Sequence, residues 1–463
     1  MKETRVRLSV ILFVPLLWLA ACAVGPDYRR PAMQLPERFS EAGSEWRAAR
    51  PGEFQVPERW WSVFADPELD RLEALVVVDN QTLKAAEARY RAARAAVDSA
   101  AAARLPVVTG KADATRSRSA GVTANSVGLM ASASWEIDLW GRVRRSVEGA
   151  RARAESSADD LAAARLSTQA LLAQTWFELR AAGEQRRLLE RTLAADARFL
   201  GLTRDRYAAG VASALDIAQA ETQLGSVRTQ LSEVELQQAQ LAHALAALLG
   251  GTDAQATGLA PLPPVPRTPA LLPSTWLEQR PDIASAERLA AAANAQIGLA
   301  QTAFYPLLDL GASAGSRAGT LGRLFDAPNL LWSVGPSLAM TLFDGGARSA
   351  AVAQARAGYD EAVATYRQTV LTAFQEVQDN LAAARLLQRE ADEQAQALAA
   401  ARRARRIAED QYRAGTVSSL NVITAQTAEL AAERSAVDIH GRRLAAAVQL
   451  LKNAGGRTGP PAE

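Results

Sequence analysis

The 463-residue chain is 49% hydrophobic and 22% charged, with 52 basic against 50 acidic residues, which excludes a disordered polyelectrolyte and leaves length for two or more compact domains. Much of the apolar fraction is alanine, as in "AAEARYRAARAAVDSAAAA" (Ala85 to Ala103), which favours helix but offers little volume for a deep core, so a thin-walled helical assembly is expected. The near-neutral charge argues against nucleic-acid binding, which is driven by phosphate neutralisation.

Residues 1–21 read as a secretory signal: Lys2, Arg5 and Arg7 precede an apolar run from Leu8 to Leu19, too short to span a membrane convincingly, and small residues follow. Cys22, the only cysteine, closes the box "LAAC" at the place where bacterial lipoprotein processing cleaves and acylates, for example with palmitate. A lone cysteine is otherwise a small buried hydrophobe, but the register of signal and box favours lipidation at Cys22. Residue 23 is Ala, where Asp would resemble an inner-membrane retention signal, so the outer membrane of a Gram-negative cell is favoured. Removing residues 1–21 takes away three basic residues and Glu3, leaving 49 of each sign.

Residues 22–60, rich in proline, glycine and charge, read as an extended, lipid-anchored segment. Trp60 and Trp61 follow, open to simple core filling as much as to a functional role. Asp66 before Pro67 is a helix cap with proline in the first helical position. A second helix restarts at Asn80 and runs to Leu105, where Pro106 ends it.

The composition then turns to Val, Thr, Gly, Ser and aromatics. In "LMASASWEIDL", Leu129, Ala131, Ala133, Trp135, Ile137 and Leu139 alternate with polar residues, the signature of a strand with one apolar and one wet face; Val107 to Thr115 is its expected partner. A long helix pair follows, broken at Gly210. The connector, residues 251–275, is proline-rich ("LAPLPPVPRTPALLPS") and reads as a strap between two halves rather than a recognition motif.

The second half, residues 276–452, repeats the scheme of residues 61–250. A helix from Pro281 to Phe304 precedes two alternating strands, one over Leu308 to Gly315 and one presenting Trp332, Val334, Leu338, Met340 and Leu342. Gly345 and Gly346 close the second. From Gly346 to Tyr412 there is no proline, and a continuous helix over that stretch would reach about 100 Å at 1.5 Å per residue. Its stripe Tyr359, Val363, Tyr366, Val370, Phe374, Val377 and Leu381 recurs at about 3.7 residues, a straight or slightly right-handed seam. Residues 453–463 form a tail expected to be mobile.

"RYAAGVASALD" and "QYRAGTVSSLN" carry the same hinge, with Tyr412 falling 205 residues after Tyr207. Gly210 and Gly415 allow the positive backbone angle of a tight reversal, and Ser213 and Ser418 are natural caps for the returning helices. Four amphipathic strands suit an outer-membrane barrel, yet the smallest such barrels need about eight. Several copies must therefore share one barrel, and three would supply twelve strands. The expected fold class is mainly α with a small β part: a long α-helical barrel plus a shared transmembrane β-barrel, built from two internal repeats.

The motifs "CAVGPDYRRP", "WWSVFADPELDRL", "SWEIDLWGRVRR", "RPDIASAERLAAAANAQIGLAQTAFYP", "LFDGGAR" and the two hinges, in this order from Cys22 to about Leu450, resemble the TolC-like outer-membrane efflux channels. More narrowly, they resemble the lipoprotein subgroup that serves resistance-nodulation-division pumps. The resemblance implies a homotrimer embedded in outer-membrane lipid that passively conducts drugs or other small molecules. A periplasmic adaptor and an inner-membrane pump would deliver them, and the inner hairpins would open like an iris.

It also implies that Asp216 and Tyr412 link neighbouring hairpins and hold the tunnel closed, through a charge-assisted hydroxyl to carboxylate bond. The acidic ring that constricts some relatives would fall at Asn421 and Thr424, both neutral here, so a charged gate is not expected. The tips, Gly210, Val211, Ala212 and Ser213 with Gly415, Thr416, Val417 and Ser418, would face the adaptor.

No nucleophile elbow, phosphate-cradling loop or Cys/His metal spacing appears, so neither enzyme activity, cofactor nor metal is expected. His243 and His440 read as helix-face residues. The alternative function is a periplasmic adaptor or structural coiled-coil lipoprotein, which should lack the four strands and the twofold repeat.

Overall fold

The computed structural model describes residues 23–33, 36, 39–41, 59–253, 260–266 and 280–454. The expected signal peptide, Cys22, most of the 22–60 segment and most of the 251–275 connector lie outside the described residues. The chain divides into two compact units: one gathers Glu87–Asp160 and Asp282–Thr369 with the residues up to Met33, the other the remainder.

A single helical turn of 3₁₀ type over Trp60–Phe64 leads into α1 (Pro67–Asp79), followed by α2 (Gln81–Ala102), β1 (Val107–Ser119), β2 (Val122–Glu136), α3 (Arg142–Ala208) and α4 (Ala214–Leu248). The second repeat supplies α5 (Pro281–Thr302), β3 (Leu307–Ala318), β4 (Leu330–Ala339), α6 (Ala347–Arg413) and α7 (Ser419–Ala454). α3 and α6 are unbroken helices of 67 residues each. The expected rod therefore holds, shifted by one residue, and α7 continues past the boundary expected at residue 453.

The strands form one antiparallel sheet in the order β1-β2-β3-β4, within the first unit. β1 runs four residues beyond the expected Thr115, because Ala120 (φ 47°) and Gly121 (φ 83°) make a two-residue reversal with both angles positive, the turn that matches strand twist. β2 and β4 stop short of Leu139 and Leu342. The reason is the same in both repeats. Asp138 turns its carboxylate to the N–H groups of Val143 (3.1 Å) and Arg144 (2.9 Å) at the start of α3. Asp344 does likewise for Gly346 (3.0 Å) and Arg348 (3.1 Å) at the start of α6. Capping the orphan donors of a long helix takes precedence over three more residues of strand.

The segment after Cys22 is fastened to this unit. Val24 N–H donates to Trp140 O (3.0 Å), and buried Arg145 donates to Val24 O (3.1 Å), Gly25 O (3.2 Å) and Asp27 (3.1 Å). Gly25 has φ 103°, and a Cβ there would lie 2.4 Å from Gly298 Cα on α5, so neither position tolerates a side chain without movement.

The second unit holds the largest apolar cluster, in which Trp60, Trp61, Phe64 and Leu72 pack with Trp176 and Phe177 of α3 and Leu444 of α7. The tryptophan pair is thus core. Asp66 caps α1, accepting from Glu68 N (3.1 Å) and Leu69 N (3.2 Å), as the sequence predicts. Its other oxygen accepts from Trp176 Nε1 (2.9 Å) and from the Arg180 guanidinium in a buried ion pair, so one carboxylate joins the cap of α1 to α3. Asp66→Asn should lower unfolding free energy by about 3–5 kcal/mol, because Arg180 is left buried without its counter-charge. Denaturant titration of the purified protein checks this.

Candidate functional site

Register decides which residues share a face of the sheet. One face carries Val108, Gly110, Ala112 and Ala114 of β1 opposite Ala133, Ala131, Leu129 and Val127 of β2. It continues through Leu310, Ala312 and Ala314 of β3 to Pro336, Val334 and Trp332 of β4. The opposite face carries Lys111, Asp113, Ser132, Asp309, Arg317 and Ser333, with Ser313 and Ser333 hydroxyls 2.9 Å apart across the β3–β4 pair.

The apolar face is bare in the single chain: Trp332 is 78% and Val108 72% exposed. Both edge strands, β1 and β4, have an unpaired side. Pro336 sits in one of these edges, where a missing N–H is tolerated. A sheet apolar on one face, polar on the other and open at both sides is membrane-barrel wall that lacks its neighbours. No helix among the described residues is long and apolar enough to cross a membrane.

The second candidate region is the pair of hairpins in the other unit. Gly210 (φ 75°) and Gly415 (φ 80°) end their helices identically. Gly210 N donates to Tyr207 O (2.9 Å) and Val211 N to Arg206 O (2.9 Å); Gly415 N donates to Tyr412 O (3.0 Å) and Thr416 N to Gln411 O (3.0 Å). These are two Schellman closures, and they explain why the hinge is written twice. Ser213 caps α4 in a capping box with Asp216: Ser213 Oγ accepts from Asp216 N (3.2 Å), and Asp216 Oδ2 accepts from Ser213 N (2.7 Å). Ser418 occupies the corresponding place before α7, with Asn421 N on its carbonyl (3.2 Å). Val211, Thr416 and Leu215 are exposed at the tips, and Ala212 and Val417 are half-buried.

Asp216 and Tyr412 do not bond to each other in the chain. The second oxygen of Asp216 accepts from the Ser419 hydroxyl of the other hairpin. Buried Tyr412 packs its ring 4.5 Å under the Arg206 guanidinium and 5.5 Å from Phe199, while Arg206 also donates to Tyr412 O (3.0 Å). The Tyr412 hydroxyl has no partner among the described residues. Within the chain the two hairpins are instead joined by Asp216–Ser419 and Arg206–Tyr412. The capping box has already turned Asp216 towards the tip. Asn421 and Thr424 are exposed and neutral, and Thr424 Oγ1 donates to Leu420 O (2.8 Å), with no charged ring in the chain at these positions.

Sequence reasoning missed Arg206, Phe199 and Ser419, and it missed the polar seam behind them. Thr427 donates to Gln223 (3.3 Å) and Arg434 to Gln230 (2.7 Å), so α4 and α7 are stitched by polar pairs about two turns apart. The signal was available in the near-constant offset of about one repeat between the partners. His440 lies on a helix face with Nε2 2.8 Å from Pro263 O. No cluster of three metal-ligating side chains occurs among the described residues.

A model of the outer membrane efflux protein family matches residues 75–251 and 272–456. The chain belongs to this family. The probable efflux pump outer membrane protein TtgC of Pseudomonas putida is 31% identical over 470 residues, across 98% of this chain and 96% of its own. Outer membrane protein OprJ of Pseudomonas aeruginosa is 33% identical over 478 residues, across 98% and 97%. The solved outer-membrane channel OprN superposes with a TM-score of 0.86 at 30% identity, covering 94% of this chain and 99% of that one. The fold is mainly α with a small four-stranded sheet in two repeats, and the protein is an efflux channel component of the Gram-negative outer membrane. The reading as an adaptor or coiled-coil lipoprotein falls, since the strands and the twofold repeat it should lack are present.

Two carboxylates in the hairpins titrate oppositely. Hydrogen bonds from Ser419 and Ser213 hold Asp216 below its ordinary value of 3.8. A depressed carboxylate stabilises above the unfolded value and loses that contribution as pH falls through the folded one, so this clasp is intact at neutral pH and opens only below 3.8. Burial pushes Asp196, in α3 of the first hairpin, up to about 6. Its neutral form is the one the fold favours, so stability is greatest below 3.8 and declines as pH rises to about 6. Asp196→Asn should raise the Tm at pH well above 6 and leave it unchanged in acid; calorimetry across that range checks the sign.

Proposed function

We propose that three copies of the chain close a twelve-strand barrel in the outer membrane and that their long helices wall a periplasmic tunnel that is shut at the hairpin tips. The observation that carries this is the sheet: four strands with one bare apolar face and two free edges cannot seal in lipid alone, and closed barrels need about eight. In this reading residues 1–21 are removed, Cys22 is acylated, and 22–60 run as an anchored strap. Repeats 61–250 and 276–452 are joined by the connector at 251–275, and residues 453–463 are a terminal tail.

The chain conducts passively, as one member of a tripartite assembly with a periplasmic adaptor and an inner-membrane pump. The exposed tips Gly210–Ser213 and Gly415–Ser418 receive the adaptor. Their backbone is rigidly closed by the two Schellman turns, and their free surface is apolar at Val211 and Leu215. Asp216–Ser419 and Arg206–Tyr412 clasp the hairpins in the closed state. With Asn421 and Thr424 neutral, closure rests on hydrogen bonds and packing, with no cation-binding constriction.

The purified protein should run as a heat-stable trimer on unboiled gels and give single-channel conductance in planar lipid; a monomer that never conducts overturns the proposal. Asp216→Ala and Ser419→Ala should each raise the conductance of the resting channel and antibiotic entry, with little further gain in the double variant. Tyr412→Phe should change neither, because the hydroxyl is unbonded, whereas Tyr412→Ala should loosen the gate by removing the ring under Arg206. Unchanged conductance in Asp216→Ala would remove that residue from the gate.

A further inference from the structure

The sheet sorts its charges almost completely. Asp113, Glu136 and Asp309, the acidic residues of the four strands, have the register of the polar face, and so do Lys111 and Arg317. Two charged residues break the rule. Arg116 and Arg118 of β1 lie on the same face as Val108, Ala112 and Ala114, opposite Asn125 and Thr123 of β2. Both are exposed, neither has an ion-pair partner among the described residues, and no carboxylate shares their face of the sheet.

Their height on that face is informative. Along β2 the apolar run from Trp135 to Val127 covers about 27 Å of strand at ~3.4 Å per residue. At a tilt of 35–45° this is about 21 Å of depth, close to the ~25 Å apolar band of an outer-membrane barrel. Continuing along β1, Arg116 lies about 5 Å of depth beyond Ala114, within a headgroup layer some 5–7 Å thick, and Arg118 about 10 Å, roughly 3 Å past that layer and within reach of it for a long side chain that turns back. β1 and β2 join their helices at Val107 and Glu136, so the Ala120–Gly121 turn is the end of the sheet away from the helices. Given periplasmic helices, which is the part that rests on the proposed function, that end faces the exterior leaflet.

We propose that Arg116 and Arg118 form a binding site for the phosphate groups of an anionic lipid headgroup in the outer leaflet, one site per chain around the barrel rim. Guanidinium groups at i and i+2 of a strand are about 7 Å apart along the strand and project to the same side, suited to hold two phosphates of one headgroup or one phosphate between them. Arginine at this level also snorkels readily, keeping its aliphatic stem on apolar surface while the charge stays at the interface. The opposite, polar face cannot serve, since there Asp113 would repel phosphate and the lining is aqueous.

The test uses the full-length protein purified in detergent, with native mass spectrometry to count retained lipid. The probes are a bis-phosphorylated glucosamine lipid (lipid A), the same lipid after phosphate removal, and inorganic phosphate alone. The wild-type protein should retain the phosphorylated lipid, and Arg116→Gln/Arg118→Gln should weaken retention about tenfold or more. Arg116→Lys/Arg118→Lys should restore most of it, and Lys111→Gln, on the polar face, should change nothing.

Equal retention by the double Gln variant, equal binding of the dephosphorylated lipid, or full competition by millimolar inorganic phosphate would each overturn the site. Conductance of the same preparations keeps the two readings apart. A conducting double variant that has lost the lipid supports the site and the channel together. A conducting double variant that keeps the lipid sinks the site alone, and a wild-type protein that never conducts sinks the channel reading.

Discussion

Backbone hydrogen bonding in a medium without water is the constraint from which the rest follows. In lipid an unpaired N–H or C=O has no solvent to turn to, so a sheet must have neighbours on both sides. This chain offers four strands with a free edge at β1 and another at β4, and an apolar face that nothing in the chain covers. Its remaining architecture is arranged so that identical copies can supply what is missing. The two repeats each contribute one strand pair and two long helices, and the sheet alternates strictly enough that one register error would turn its apolar face towards water.

The long helices impose a second requirement, that their ends be satisfied. At the sheet end Asp138 and Asp344 leave the strands to cap α3 and α6. At the other end the glycines of the hinge close both helices by the same pair of backbone bonds. The two termini of each helix are thus handled by repeated devices. The surroundings of the two hinges differ all the same: Tyr207 is 49% exposed, whereas its counterpart Tyr412 is 5% exposed beneath Arg206.

Polar contacts within otherwise apolar seams recur throughout the second unit. Asp66 links Trp176 and Arg180, Asp216 links Ser213 and Ser419, and Gln223 and Gln230 meet Thr427 and Arg434. Alanine-rich helices pack closely but slide easily, since small side chains make shallow ridges. Hydrogen bonds at every second turn set the register that such ridges cannot. They are also individually weak, about 1 kcal/mol net for a neutral pair.

The sequence alone determined the elements and their order. Alternation at Leu129–Trp135 and Leu308–Ala314 marks strands because side chains of a pleat must alternate, and proline-free alanine-rich stretches with a 3.7-residue stripe mark the rods. The doubled hinge announced itself because only glycine takes the positive angle cheaply. What the tertiary structure decided was which residues meet across elements. That Asp216 bonds Ser419 within the chain and that Trp60 and Trp61 are core depend on register between segments far apart in the chain. Local propensity and periodicity carry no information about that register. It is set by the summed packing and hydrogen bonding of whole elements, which exists only once the chain has folded.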